Sequence, residues 1–308
     1  MSDRIGEMTR FLAGETTAVY REQVPMARYT TLRLGGPAEL LVEPDSPETL
    51  KQVIRKAREM ELPLTVIGNG SNLLVLDGGI PGVTVHLGRN FSSVSHVDGT
   101  VRCQAGCLLP QLARYAMEQG LDGLVFASGI PGSVGGGTVM NAGAYGGELG
   151  DTLKRVTCLD AQGNTVVLDR SQLELGHRTT ALQHLDLIVM ESEFCLREGN
   201  VKEMLEQSAE LNRRRAEKQP LDEPSAGSAF KRPANDYASR LVDACGLKGL
   251  QVGGARVSEK HAGFLVNQGT SSADFLALVR EVQRIVLEKT GVQLEMEIRV
   301  IGVEEKGA

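Results

Sequence analysis

The sequence predicts an α+β protein of two or three domains, and three observations carry that reading. The first third of the chain alternates strand and helix patterns, the middle third is rich in hairpin signals, and from about residue 200 helical periodicity dominates. With 308 residues the chain can bury a sizeable core without disulfide or metal staples.

The elements follow in order. Glu39-Leu-Leu-Val-Glu43 reads as a strand. Ser46 then stands as N-cap with Pro47 at the first helical position, and Leu50, Val53, Ile54 and Ala57 fall on one helical face. Residues 64–67 read as a short buried strand and 82–87 as another, giving a β-α-β-β unit within residues 1–88. From 94 to 105 an alternating pattern turns at Asp98-Gly99. A helix with Leu112, Tyr115, Ala116 and Met117 follows and stops at Gly120. A second hairpin, 156–160 with 165–169, turns through Gln162-Gly163-Asn164, and 187–195 adds a strand, which bounds a β-rich unit at 89–199. Residues 200–290 read as mostly helical. Val201, Met204, Leu205 and Leu211 make one face, Tyr237 to Cys245 another, and a third helix starts at Ser271 with Phe275, Leu278, Val279, Val282 and Ile285 in phase. An alternating strand from 294 to 301 closes the pattern.

Charge and composition exclude several functions. With 39 acidic and 33 basic side chains the net charge is −6, so there is no basic surplus for nucleic acid or an anionic membrane surface. The first ten residues carry charges where a signal peptide has its apolar region, and no run nears the roughly 18 apolar residues of a spanning helix, so a cytoplasmic protein is expected. The five cysteines, Cys103, Cys107, Cys158, Cys195 and Cys245, form no Cys-x-x-Cys and do not cluster with histidine. They read as reduced core thiols, and no metal site is expected.

Two of the many glycine clusters stand where strands end. In Gly68, Asn69, Gly70, Ser71, Asn72 and Leu73 the glycines free the backbone to aim N–H groups at an anion, and Ser71 and Asn72 add side-chain donors, as a diphosphate requires. The second cluster runs through Gly129, Ile130, Pro131, Gly132, Ser133, Val134, Gly135 and Gly136, and Asn141, Ala142 and Gly143 extend it with small residues against which a flat ligand can lie. Either loop alone reads equally well as a tight turn without ligand; the pair points to a large phosphorylated cofactor. Neither loop is a G-x-G-x-x-G or a G-x-x-x-x-G-K-[ST] motif, so Rossmann and P-loop readings fail.

With Thr30-Thr-Leu-Arg-Leu-Gly-Gly-Pro-Ala38, these two loops, Met140-Asn-Ala-Gly-Ala-Tyr-Gly-Gly-Glu148, Pro224-Ser-Ala-Gly-Ser-Ala-Phe-Lys-Arg-Pro233, Ala255-Arg-Val-Ser-Glu-Lys-His-Ala-Gly-Phe264 and Glu297-Ile-Arg-Val-Ile-Gly302, the chain closely resembles the UDP-N-acetylenolpyruvoylglucosamine reductase family over about residues 28 to 302. The last three motifs are specific to that family. The resemblance implies a two-subdomain vanillyl-alcohol-oxidase-type FAD-binding region (1–88 and 89–199) followed by an α+β substrate-binding domain (200–290), with the stretch 291–308 returning to the first subdomain. It implies non-covalent FAD, NADPH as hydride donor and UDP-N-acetylglucosamine enolpyruvate as substrate, in the synthesis of peptidoglycan precursors for the cell wall. A monomer is favoured.

Saturating an enol ether beside a carboxylate needs hydride at the terminal carbon, stabilisation of enolate charge, and a proton for the other carbon. By resemblance Ser228 is the proton donor, whereas without the motif it reads as a turn residue. Glu295 and Glu297 share one face of a regular strand and look alike as a charged edge. The family's glutamate stands directly before a hydrophobic-Arg pair, which selects Glu297. Arg178, in Gly176-His-Arg-Thr, matches the family's arginine and suits a carboxylate or enolate through its bidentate fork; otherwise it reads as a surface ion pair. Lys218, Lys231 and Lys248 suit the anionic groups of a UDP-sugar, with solvated helix faces as the plainer reading. Arg213-Arg-Arg215 ends a helix, where positive charge complements the dipole. The chain departs from the family pattern with His177 in place of the usual tyrosine, Val125 in place of glutamate and Gly137 in place of alanine, the last two beside the flavin loop. No tyrosine-bearing insertion is present, as in the subclass with the more open site. A related FAD oxidase and a noncatalytic nucleotide-sugar sensor are the competing readings.

Overall fold

The structure, a computed structural model, describes residues 2–305. Contacts divide them into two units, the first made of residues 2–22, 40–69 and 82–214 and the second of 23–39, 70–81 and 215–305.

The first unit opens with a helix that the sequence reading passes over. In α1 (Ser2–Glu15) Ile5, Met8 and Leu12 are buried at helical spacing and join a core with Leu50 and Val53 of α2 (Pro47–Glu59). The start of α2 is the one expected. Ser46 Oγ accepts the Thr49 N–H at 3.2 Å, a cap worth about 1 kcal/mol, and Pro47 occupies the first turn. These helices accompany a four-stranded sheet ordered Val19–Pro25, Pro37–Glu43, Ile80–His86, Leu64–Ile67, in which the last two run parallel. Two expectations change here. The sheet gains Val19–Pro25 as a fourth strand, and in the strand expected to be buried only Ile67 is buried.

The hairpin-rich stretch folds as read, because its turn residues supply the required backbone angles. Asp98 and Gly99 take φ of +47° and +72°, and Gly163 takes +73°. The strands form one antiparallel sheet ordered Thr165–Asp169, Leu153–Asp160, Leu187–Cys195, Thr100–Gln104, Val94–Val97. Helix α3 (Leu109–Glu118) buries Leu109, Leu112, Ala113, Ala116 and Met117. The short helix α4 (Val134–Val139) follows the second glycine loop, and Ser133 is its N-cap. Helix α5 (Val201–Lys218) begins in this unit. Of the five thiols, Cys103, Cys107, Cys158 and Cys245 are buried and free, whereas Cys195 is exposed at the end of its strand, against the expectation of a core position. Burial pushes Cys158 up to about 12, which keeps that thiol protonated and inert.

The second unit keeps the helices read over 200–290 and adds a sheet that the pattern reading missed, in line with the α+β domain that the resemblance implies. It holds a four-stranded antiparallel sheet ordered Ser225–Ser228, Phe264–Asn267, Ala255–Val257, Gln251–Val252, with helices α6 (Ala238–Ala244) and α7 (Ser272–Thr290). Phe264 to Asn267 is buried at every position, so it shows no alternation for a periodicity argument to detect. Helix α7 runs from the Ser271 cap to Gly291 at φ +72° and buries Phe275, Leu278, Val279, Val282 and Val286 in a core with Val257 and Leu265. The closing stretch is also corrected. Only Arg299–Ile301 is a strand, paired parallel to Leu73–Val75. Leu294 and Ile298 are buried before it, with Met296 between them only half-buried, and this stretch is held to residues 229–231 by an isolated bridge in place of a ladder. Met1 and residues 306–308, the ends of the expected subdomain and returning stretch, lie outside the described residues.

Candidate active site

In the first unit Gly68 and Asn69 meet the second glycine-rich segment, each time the backbone of one against a side chain of the other. A Cβ on Gly68 would collide with Ser133 Oγ, and the Asn69 amide donates to the Pro131 carbonyl. The second loop is fixed from behind: Leu109 N–H donates to Gly132 O (2.9 Å), Val134 N–H to Cys107 O (2.7 Å) and Gly135 N–H to Ala105 O (2.8 Å). A Cβ on Gly135 would sit 2.8 Å from that of Ala105. Among the described residues no acceptor takes the N–H groups of Gly132 and Ser133. Gly136 is exposed, and an added Cβ there would meet only Ser133 Oγ, at 3.5 Å. Rigid backbone, unclaimed N–H donors and no side-chain bulk are what a diphosphate and a flat ring system need, so these residues fit a flavin dinucleotide. Gly70, Ser71, Asn72 and Leu73 belong to the second unit. Gly70 takes φ +61°, and a Cβ would collide with the Tyr29 carbonyl, so only glycine fits.

Arg178 also belongs to the first unit. It is half-buried in a tight turn in which Gly176 and Thr179 exchange N–H···O bonds of 3.1 and 3.2 Å. Its φ is +58°, a left-handed conformation that disfavours a side-chain-bearing residue by roughly 1–2 kcal/mol. Two amides hold the turn in place. Asn141 Nδ2 donates to Gly176 O at 2.9 Å, and Gln183 Nε2 donates to Arg178 O at 3.0 Å and Val139 O at 3.1 Å. Asn141 is 2% exposed; its Nδ2 also reaches Glu148 Oε1 (2.8 Å), while its Oδ1 accepts the Gly150 N–H (2.7 Å). This amide is thus engaged inside the protein. His177, in place of the family tyrosine, is exposed.

The second unit brings Ser228 and Glu297 together. Ser228 is exposed at the end of its strand, opposite Phe264, after Gly227 at φ +80°. The next residue, Ala229, donates to Gly263 O (2.8 Å) and accepts the Glu297 N–H (2.9 Å). Asn72 lies against the same segment, its Nδ2 donating to Glu297 O at 3.3 Å and its carbonyl accepting the Arg299 N–H at 3.0 Å. The two glutamates that looked equivalent are separated. Glu295 is exposed and paired with Lys231 at 3.0 Å, whereas Glu297 is half-buried.

Lys248 pairs with Asp243 at 3.3 Å, and Lys218 is exposed at the end of α5. Arg213 and Arg214 both bind Glu210, which holds that carboxyl down at about 2. Sequence reasoning missed Gln183 and His261. The His261 Nδ1 accepts the Gly263 N–H at 3.1 Å and so braces the turn that leads into Phe264–Asn267, the strand paired with Ser225–Ser228; burial holds its imidazole below the usual 6.5. Gln183 gave no signal beyond its identity. Val125 is buried with Met117 and Met204, and an alanine at Gly137 would press on Leu109 Cδ1 at 2.9 Å. Among the described residues no group of His, Cys, Asp and Glu can hold a metal, and no helix is long and apolar enough to cross a membrane.

Fold and glycine cradle together define a flavoprotein: residues 38–169 match the family described as an FAD binding domain, and 219–301 match the C-terminal domain of UDP-N-acetylenolpyruvoylglucosamine reductase. The reductase of that name from Clostridioides difficile is 45% identical over 279 residues, covering 90% of this chain and 92% of its own. That of Alkaliphilus oremlandii is 44% identical over 281 residues, with 91% and 92% coverage. The crystal structure of the Thermus caldophilus reductase superposes with a TM-score of 0.78 at 40% identity, covering 92% of this chain and 99% of that one. The chain belongs to the UDP-N-acetylenolpyruvoylglucosamine reductase family.

Proposed function

We infer that the chain is an FAD-dependent oxidoreductase that uses NADPH to reduce UDP-N-acetylglucosamine enolpyruvate to UDP-N-acetylmuramate, in the cytoplasm and as a monomer. Family membership supports the reaction. The observation that carries it within the molecule is the bond from Glu297 N–H to Ala229 O, which sets the half-buried Glu297 beside the residue that follows Ser228.

The chemistry that FAD would supply when bound is relay of a hydride from NADPH to the methylene carbon of the enolpyruvyl group. The proposed cradle is Gly68 to Leu73 with Gly129 to Gly136, where backbone N–H groups receive the diphosphate, and Asn141, Ala142 and Gly143 close beside it. Asn141 serves through its backbone, since its side chain is engaged. Arg178 receives the substrate carboxylate and the enolate charge that develops as hydride arrives. Ser228 Oγ–H gives its proton to the α-carbon, which completes the saturated lactyl ether. A hydroxyl is a weak acid, but an enolate is basic enough to take its proton. Glu297 orients that step. Lys218, Lys231 and Lys248 meet the diphosphate of the UDP moiety, for which Lys231 and Lys248 must exchange their carboxylate partners. The division proposed for these roles is 1–88 and 89–199 for the flavin and 200–290 for the substrate, with 291–308 returning to the first.

The absorbance of the purified protein tests the reading. A flavin spectrum should bleach with NADPH and recover on addition of the UDP-enolpyruvyl sugar. A colourless protein that cannot be reconstituted with FAD, or a reduced flavin indifferent to that sugar, would refute it.

A further inference from the structure

The turn that carries Arg178 is strained and tightly held, and it is fastened to the end of helix α4, some forty residues earlier in the chain. Helix α4 is six residues long, so it spans about 9 Å from the glycine loop at its start to Val139, Met140 and Asn141 at its end. Three side chains fasten the Arg178 segment to that end: Asn141 on Gly176 O, Gln183 on both Arg178 O and Val139 O, and Thr180 Oγ1 on Val139 O at 2.8 Å. Gln183 is the one that touches Arg178 itself. Its Nε2 gives its hydrogens to two carbonyls, one on the turn and one on the helix, and so fixes the distance between them. The positive φ of Arg178 is a conformation that arginine abandons unless its surroundings hold it there.

We propose that Gln183 is a positioning residue: by bridging Arg178 O to Val139 O it keeps Arg178 in its left-handed conformation and thereby aims the guanidinium. This rests on the reading of Arg178 as the group that receives the substrate carboxylate. The two can be tested apart, because positioning predicts that the effect of Gln183 passes wholly through Arg178.

The experiment is a double-mutant cycle on flavin-loaded enzyme, with Gln183→Met, Arg178→Ala and their combination, reading the rate at which reduced flavin is reoxidised by the UDP-enolpyruvyl sugar, with flavin content and melting temperature in parallel. Gln183→Met preserves length and volume while removing the donor. It should slow reoxidation by roughly 10- to 100-fold, the scale of a small misplacement of a reacting group, with flavin content unchanged. In the Arg178→Ala background it should have no further effect. If Arg178→Ala leaves reoxidation intact, the role of Arg178 falls and the inference with it. If Arg178→Ala is slow but Gln183→Met is normal, only the inference falls. Equal losses from Gln183→Met in both backgrounds would mark a general structural role and also overturn it. Gln183→Glu, which keeps the shape but turns an acceptor toward the two carbonyls, gives the same readout should Gln183→Met fold poorly, and its loss should likewise vanish in the Arg178→Ala background.

Discussion

Glu297 donates its backbone N–H to the carbonyl oxygen of Ala229 at 2.9 Å, while two residues away Glu295 offers its own carbonyl to the Lys231 N–H at 2.8 Å. The two carboxylates lie in different environments, Glu297 half-buried and Glu295 in solvent on Lys231. Glu297→Gln should therefore lower turnover by about 100-fold or more, the scale of an acid–base or electrostatic contribution. Glu295→Gln should change it little, because an exposed ion pair contributes only about 0–1 kcal/mol. Steady-state kinetics of the two nearly isosteric variants, with thermal melts alongside, check the contrast. Similar small losses in both would remove Glu297 from the mechanism.

Ser228→Ala removes the proposed proton donor at an exposed strand end, where the packing of Ala229 and Phe230 is untouched. Flavin reduction by NADPH should proceed at a near-normal rate, and reoxidation by substrate should slow by roughly 10²- to 10⁴-fold. Stopped-flow traces of the two half-reactions separate the outcomes. Equal slowing of both would assign the serine to the fold or the cofactor.

Gly136 offers a test of cofactor placement that is free of folding artefacts. A methyl group there meets only Ser133 Oγ at 3.5 Å, and alanine is the better helix former by about 1 kcal/mol. Gly136→Ala should hold or raise the stability of the flavin-free protein and weaken FAD retention on gel filtration. Full flavin occupancy would show that the cofactor does not approach this backbone.

His261 gives stability a defined pH dependence. Burial holds its folded-state pKa below 6.5, with the Lys248 ammonium pushing the same way and the Asp243 carboxylate opposing. The unfolded chain therefore binds the proton more readily, so this contribution to stability is complete above pH 6.5 and is lost as the pH falls toward the depressed value. Urea midpoints should fall between pH 7.5 and 5.5, and fall less in His261→Asn, whose side-chain oxygen can still accept the Gly263 N–H. An identical pH slope in the variant would show that the histidine does not carry the effect.

What could be read from the sequence was whatever a single residue enforces locally. Ser46-Pro47 starts α2, Asp98-Gly99 turns the first hairpin and Gly291 stops α7, because each depends on a cap or a backbone angle set by that residue alone. The sheet of the second unit was invisible, because its strands are short and Phe264–Asn267 is buried on both faces. The stretch before Arg299 misled in the opposite way. Leu294, Met296 and Ile298 alternate in type with their polar neighbours, yet the chain there is tied by single bonds to 229–231 and becomes a regular strand only from Arg299. The glycine loops stood out in composition, and the motif around Ser228 only through its resemblance to the family. The braces, Gln183 on Val139 and His261 on Gly263, are ordinary residues whose importance lies in what they reach, and for Gln183 that partner is fixed only by the fold.

The parallel pairing of Arg299–Ile301 with Leu73–Val75 joins segments more than two hundred residues apart. During vectorial synthesis Leu73 must wait, its strand edge unfilled, until nearly the whole chain has left the ribosome, whereas everything the first unit needs has been made by Arg214. The first unit is therefore free to mature early, whereas the second closes last and through a pairing of very high contact order.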